Sequence, residues 1–148
     1  MKKLILAFAF LALNLTQAQI LKPVTWTTSV DKISDTEYEL VATANIDPKW
    51  HLYSQTVPED GPIATSFTFK GNNNYLKKGN TMEEKGHTVN DPVFGMQIKF
   101  FENKASFRQR IKLKGKEPFK VDATVEFMVC DDSRCLPPTE VDLVFNIK

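Results

Sequence analysis

The two cysteines of this 148-residue chain stand close together, in the run Cys130-Asp131-Asp132-Ser133-Arg134-Cys135-Leu136-Pro137-Pro138. A bridge between them closes a loop of six residues. Cross-linking so short a loop removes about 2 kcal/mol of unfolded-chain entropy, against roughly 4 or more for a loop that spans a domain. The pair is therefore badly placed for stapling a fold. A local, accessible pair is readily reduced and re-formed, so the first chemistry to expect is thiol–disulfide exchange, in which a thiolate attacks a disulfide sulfur. Charges beside the thiols act in opposite senses: Asp131 and Asp132 disfavour a thiolate, and Arg134 favours one. No Cys-x-x-Cys opens a helix, so no helix dipole depresses a thiol pKa. A sluggish pair that exchanges well only with a docked partner is the expectation.

A disulfide also needs an oxidising compartment. Lys2 and Lys3 form a positive start, residues 4–15 an apolar run of signal-peptide length, and Thr16-Gln17-Ala18 supplies small residues where a signal peptidase cuts. The expected organisation is a cleavable signal peptide over residues 1–18 and one exported domain over 19–148. The apolar run is too short to cross a bilayer, and no later stretch approaches about 20 apolar residues. The expectation is thus a periplasmic protein with no membrane insertion of the mature chain. Without Lys2 and Lys3 the formal charge falls from +1 to −1, which argues against a nucleic-acid surface or a polybasic membrane patch.

The elements that must position the cysteines read as strands. Phe119, Val121, Ala123, Val125, Phe127 and Val129 alternate with Lys120, Asp122, Thr124, Glu126 and Met128, a period of two. The same alternation runs through Tyr38, Leu40, Ala42, Ala44 and Ile46 and through Val141, Leu143, Phe145 and Ile147. Weaker runs lie at 24–30, 50–54, 63–69, 93–101 and 107–113. Turn signals separate them, among them Asp47-Pro48, Gly71-Asn72-Asn73-Asn74, Asn90-Asp91-Pro92 and Lys114-Gly115. Seven or eight short strands and no helical period predict an all-β, immunoglobulin-like antiparallel β-sandwich. If one strand runs unbroken through Val129, Cys130 falls on its polar face with Glu126 and Met128, outside the core. The chain then turns over residues 131–134, and the two cysteines can face one another across a hairpin. An inter-sheet disulfide of the immunoglobulin kind needs cysteines on distant inward-facing strands, which this pair cannot supply.

Cys-x4-Cys-Leu-Pro-Pro-Thr-Glu on the last hairpin of an exported β-sandwich resembles the amino-terminal periplasmic domain of the disulfide reductase DsbD, also called the disulfide bond corrector domain. Here four residues separate the cysteines, where better-known members have five. Asn90-Asp91-Pro92-Val93-Phe94-Gly95 is similar to the family's cap loop, in which an acid and an aromatic beside a glycine shield the sulfurs. Pro92 stands where a second acid is common. The resemblance implies that Asp91 and Phe94, with Val93 as an alternative, form the cap. Trp50-His51-Leu52-Tyr53-Ser54 is similar to the family's aromatic strand, which makes Tyr53 a wall of the site. It further implies that Cys130 and Cys135 are the catalytic pair of a protein-disulfide reductase type of exchange. Cys135 forms the mixed disulfide and Cys130 resolves it. The implied partners are a thioredoxin-like domain or a membrane-embedded disulfide reductase as electron donor and periplasmic thiol oxidoreductases as acceptors, with cytochrome c biogenesis among the implied employments. No cofactor is implied.

Blander readings compete. Asp91 and Phe94 serve equally as turn acid and core aromatic, and Trp50 and Tyr53 as core-edge aromatics with a polar tip. The hairpin bridge is also compatible with an immunoglobulin-like binding module whose disulfide is purely structural. His51 and His87 with the cysteines have the composition of a Cys2His2 metal site, but neither histidine has zinc-finger spacing, so no metal is expected. His87, beside Lys85 and Gly86, reads as part of a solvated loop.

Overall fold

The computed structural model describes residues 21–148; the expected signal peptide lies outside them. Its strands are β1 (Val24–Lys32), β2 (Glu37–Ile46), β3 (His51–Tyr53), β4 (Ser66–Phe69), β5 (Tyr75–Glu83), β6 (His87–Asp91), β7 (Met96–Glu102), β8 (Lys104–Leu113), β9 (Phe119–Phe127), β10 (Val129–Cys130) and β11 (Thr139–Ile147). All pairings are antiparallel, in three ladders ordered β1-β2-β8-β5, β10-β3-β7-β6 and β11-β9-β4. The fold is an all-β, immunoglobulin-like antiparallel sandwich, as the alternation predicts.

Period-two patterning builds the main core directly. Tyr38, Leu40, Ala42, Ala44 and Ile46 of β2, with Phe107 and Ile111 of β8, face Val121, Ala123, Val125 and Phe127 of β9 and Leu143, Phe145 and Ile147 of β11. Their polar alternates point outward, so each strand buries one face. Trp26 adds an aromatic contact with Phe67, Phe107 and Phe127, at ring separations of 5.8, 5.7 and 5.5 Å.

The eleven strands of the described residues exceed the expected seven or eight, because the run 119–129 divides into β9 and β10 and because β5 and β6 carry almost no apolar alternation. Both are edge strands with mostly exposed side chains. Backbone pairing to β8 and β7 holds them, and an edge strand needs no buried face. Two predicted runs are also shorter than expected: 63–69 contributes only β4, and 93–101 becomes strand only from Met96. His87 opens β6 rather than lying in a loop, though it is exposed.

The small ladder β10-β3-β7-β6 positions the cysteines. The register sets Val129 opposite Leu52 and Leu52 opposite Phe101, and all three belong to the main core. The alternate residues, Cys130 opposite His51 and Tyr53 opposite Phe100, point the other way. There Tyr53, Ile98, Phe100 and Cys130 form a second buried cluster. This corrects the expected placement of Cys130. Parity does take it off the main core, but β9 ends at Phe127 and β10 joins a different ladder, so the face it enters is apolar and closed rather than solvated. Cys130 is 0% exposed.

Candidate active site

Cys130 and Cys135 are disulfide-bonded, with Cα atoms 4.0 Å apart, and they form an isolated antiparallel bridge between β10 and the segment leading to β11. Asp131 N–H donates to Arg134 O at 2.9 Å and Leu136 N–H to Val129 O at 3.0 Å, which closes the expected hairpin turn. The Asp131 carboxylate caps that turn from inside, with Oδ1 accepting from Ser133 N–H at 2.8 Å and Arg134 N–H at 2.9 Å. The Ser133 N–H above all, aided by Arg134, holds this carboxyl below its usual range against some desolvation. Asp131 is thus a turn residue paired with Arg134 at 3.4 Å, and its charge is partly compensated before it reaches either sulfur. The Arg134 guanidinium lies over the Trp50 ring at 5.9 Å, a contact that fixes the turn against β3. Trp50 itself is buried in the main core.

Cys130 is fully enclosed, whereas Cys135 is partly exposed and packs on the edge of the second cluster. The two cysteines therefore differ in burial. Phe94, Met96, Met128 and Val57 pack around the same cluster. Phe94 meets the Tyr53 ring edge to face at 5.9 Å. The structure thus brings Phe94 to the cysteine cluster, whereas its neighbour Val93 is 39% exposed.

Asp91 ends β6 and organises the loop that carries Phe94. Its Oδ1 accepts from Val93 N–H at 2.9 Å and Phe94 N–H at 3.1 Å, and its Oδ2 accepts the Tyr53 hydroxyl at 2.7 Å. Pro92 suits this turn, since it has no N–H to leave unpaired and its φ is preset. Gly95 follows at φ 65° and donates its N–H to Asp91 O at 2.7 Å, a left-handed position that favours glycine. Asp91 is completely buried, so one carboxylate ties the loop over residues 91–95 to β3 beside the disulfide. Burial foremost, and then the hydrogen bond to Asp91, pushes the Tyr53 phenol far above its ordinary pKa, so it is held as a neutral donor. Tyr53 is enclosed rather than half-buried at a core edge.

Behind β3, Ser54 Oγ and Gln55 N–H donate to the Glu83 carboxylate at 2.5 and 2.8 Å, and Lys99 Nζ joins it at 2.8 Å. Burial pushes this carboxyl up, but the Gln55 N–H, Lys99 and Ser54 together outweigh it and hold it below the usual range. The end of β3 is thereby anchored to β5 and β7. Among the described residues no group of three or more His, Cys, Asp or Glu side chains is arranged to hold a metal ion.

A buried carboxylate thus joins an aromatic-bearing loop to Tyr53, in the cluster that holds Cys130. The family model described as "Thiol:disulfide interchange protein DsbD, N-terminal" matches residues 17–145. The chain belongs to that family. Thiol–disulfide exchange is accordingly its general class of chemistry. Two solved structures share the DsbD-type fold. The reduced DsbD amino-terminal domain of Neisseria meningitidis is 16% identical over 86% of this chain and 89% of that one, with a TM-score of 0.52. The N-terminal periplasmic domain of ScsB from Proteus mirabilis is 15% identical over 84% of this chain and 48% of that one, with a TM-score of 0.56. This chain therefore spans about half of the ScsB domain. Among curated proteins, none matches the sequence.

His51 is the neighbour of the DsbD-type site that sequence reasoning weighed only as a metal ligand. The signal was present: in Trp50-His51-Leu52-Tyr53 the period of two puts His51 on the face of Tyr53. Which residue faces it across the ladder depends on β3–β10 register, which the sequence does not specify.

Proposed function

We propose that this chain is an exported thiol–disulfide exchange protein in which the Cys130–Cys135 pair relays two electrons from a thioredoxin-like donor to periplasmic thiol proteins. The observation that carries this reading is the unequal burial of the two cysteines, Cys130 fully buried and Cys135 partly exposed. A donor thiolate attacks Cys135 Sγ, the Cys130–Cys135 bond breaks, and Cys130 leaves with the electron pair and takes up a proton. The donor's second thiolate then attacks the mixed disulfide, leaving as the donor disulfide and freeing Cys135. The reduced pair next attacks an acceptor disulfide through Cys135, and Cys130 resolves the mixed disulfide to release the reduced acceptor. Asp91, Phe94 and Tyr53 form the cap and wall that restrict attack to docked partners, with residues 1–18 as the export signal.

The test is trapping. Cys130→Ser accumulates a mixed disulfide with a thioredoxin-like partner, and Cys135→Ser does not. Equal trapping by both variants, or by neither, overturns the division of labour. A reduction potential below roughly −300 mV would instead mark the bridge as a structural staple.

A further inference from the structure

His51 is 4% exposed, and its Nε2 has no hydrogen-bond partner among the described residues. Asp91 Oδ2 stands 3.7 Å away, beyond hydrogen-bond reach, and is already engaged by Tyr53. An orphaned polar atom in a buried site calls for a physical reason, and a redox role is among the recognised ones. The ring is also firmly held, stacked on Phe100 at 4.5 Å and edge-on to Tyr53 at 5.6 Å. Its position in the ladder supplies the reason. His51 is the direct cross-strand partner of Cys130, and directly opposed residues project from the same face with Cβ atoms about 5 Å apart.

In the disulfide, Cys130 carries no proton and needs no partner. When the bridge opens, Cys130 leaves as a buried thiolate; its conversion to the thiol takes up one proton, and its return to the attacking thiolate gives one up, both at a fully buried residue. We propose that His51 is the proton partner of Cys130, an inference that rests on the exchange reading above. In the opening step the Cys130 sulfur leaves as a thiolate and receives the Nε2 proton of an imidazolium. In the resolving step the neutral imidazole takes the Cys130 thiol proton, the thiolate attacks Cys135 Sγ, and the partner leaves as its own thiolate. Histidine suits this because it is the side chain that exchanges protons near neutral pH. The other titratable groups around it are Asp91 on β6, Tyr53 on β3, the exposed Glu102 opposite it on β7, and His87, whose ring lies 6.5 Å from that of Phe100. Asp91 is the one whose carboxyl stands nearest the ring nitrogen, with Oδ2 3.7 Å from Nε2.

The test is a single-turnover resolving reaction. Reduced protein is treated with Ellman's reagent, and release of the second thionitrobenzoate follows attack by Cys130 on labelled Cys135. The wild-type rate levels off between pH 5 and 8. In His51→Gln and His51→Phe it falls about 100-fold at pH 7 and climbs steadily with pH, as an unassisted thiol does. An unchanged profile in folded variants, with the label on Cys135, overturns the role of His51 and leaves the exchange reading intact. A label found on Cys130 of the wild type overturns both. If neither variant folds, NMR of the wild-type protein decides. The His51 ring resonances titrate differently in the oxidised and reduced protein while those of His87 do not, and identical His51 titrations in both states overturn the proposal.

Discussion

The two faces of the β10-β3-β7-β6 ladder come from the same few residues in strict alternation, yet they hold different chemistry. One face sets Val129, Leu52 and Phe101 into the main core. The other sets Cys130, His51, Tyr53 and Phe100 against Asp91 and Phe94. The first is satisfied by shape alone, because apolar side chains need only fill space. The second holds donors and acceptors as well: one carboxylate accepts three hydrogen bonds, and only His51 Nε2 is left without a partner among the described residues of this face. A sheet too small to form a core of its own thereby separates the main core on one side from the disulfide cluster on the other.

Substitutions on the two faces should therefore separate stability from thiol access. The largest effect on stability is expected from Phe107→Ala, since this side chain is buried between Trp26, Phe67 and Phe101. It should cost about 3–5 kcal/mol in denaturant unfolding while leaving the reduction rate of the folded protein unchanged. A variant that also reduces several times faster would mean that the two faces are coupled.

Removing the bridge comes next. Cys130→Ala with Cys135→Ala should lower stability by about 2 kcal/mol, the contribution of a six-residue loop, and the protein should still fold. Failure of the double variant to fold would make the second face a structural element and erase the distinction. Smallest in stability, and sharpest in diagnosis, is the proposed cap. Phe94 is half-buried and Val93 mostly outward, so Phe94→Ala should cost about 1 kcal/mol and Val93→Ala less than about 0.5 kcal/mol. Reduction of the disulfide by dithiothreitol should accelerate in Phe94→Ala and stay near wild type in Val93→Ala. Acceleration in Val93→Ala alone would transfer the cap role to that residue.

Much of this was legible in the chain. The alternations through 119–129, 141–147 and 38–46 specify strands with one apolar face, because period-two patterning ties burial directly to residue order. The cysteine turn was equally legible, since closure of six residues is a local event: Asp131 and Arg134 make their contacts within the turn itself. Asp91-Pro92 announced a turn in the same way, and its side chain does cap one.

What the order of residues left open was everything that depends on partners distant in sequence. The strands β5 and β6 carry no apolar signal, because the ladders they join supply their hydrogen bonds. Whether Cys130 meets water or a second cluster was decided by the switch of the chain between ladders after Phe127, which brings Tyr53, Ile98 and Phe100 over it. The pairing of His51 with Cys130, 79 residues later in the chain, and the reach of Asp91 to Tyr53 follow from register and loop path. Patterning fixes which face a residue takes, but only the assembled sheet determines what that face meets.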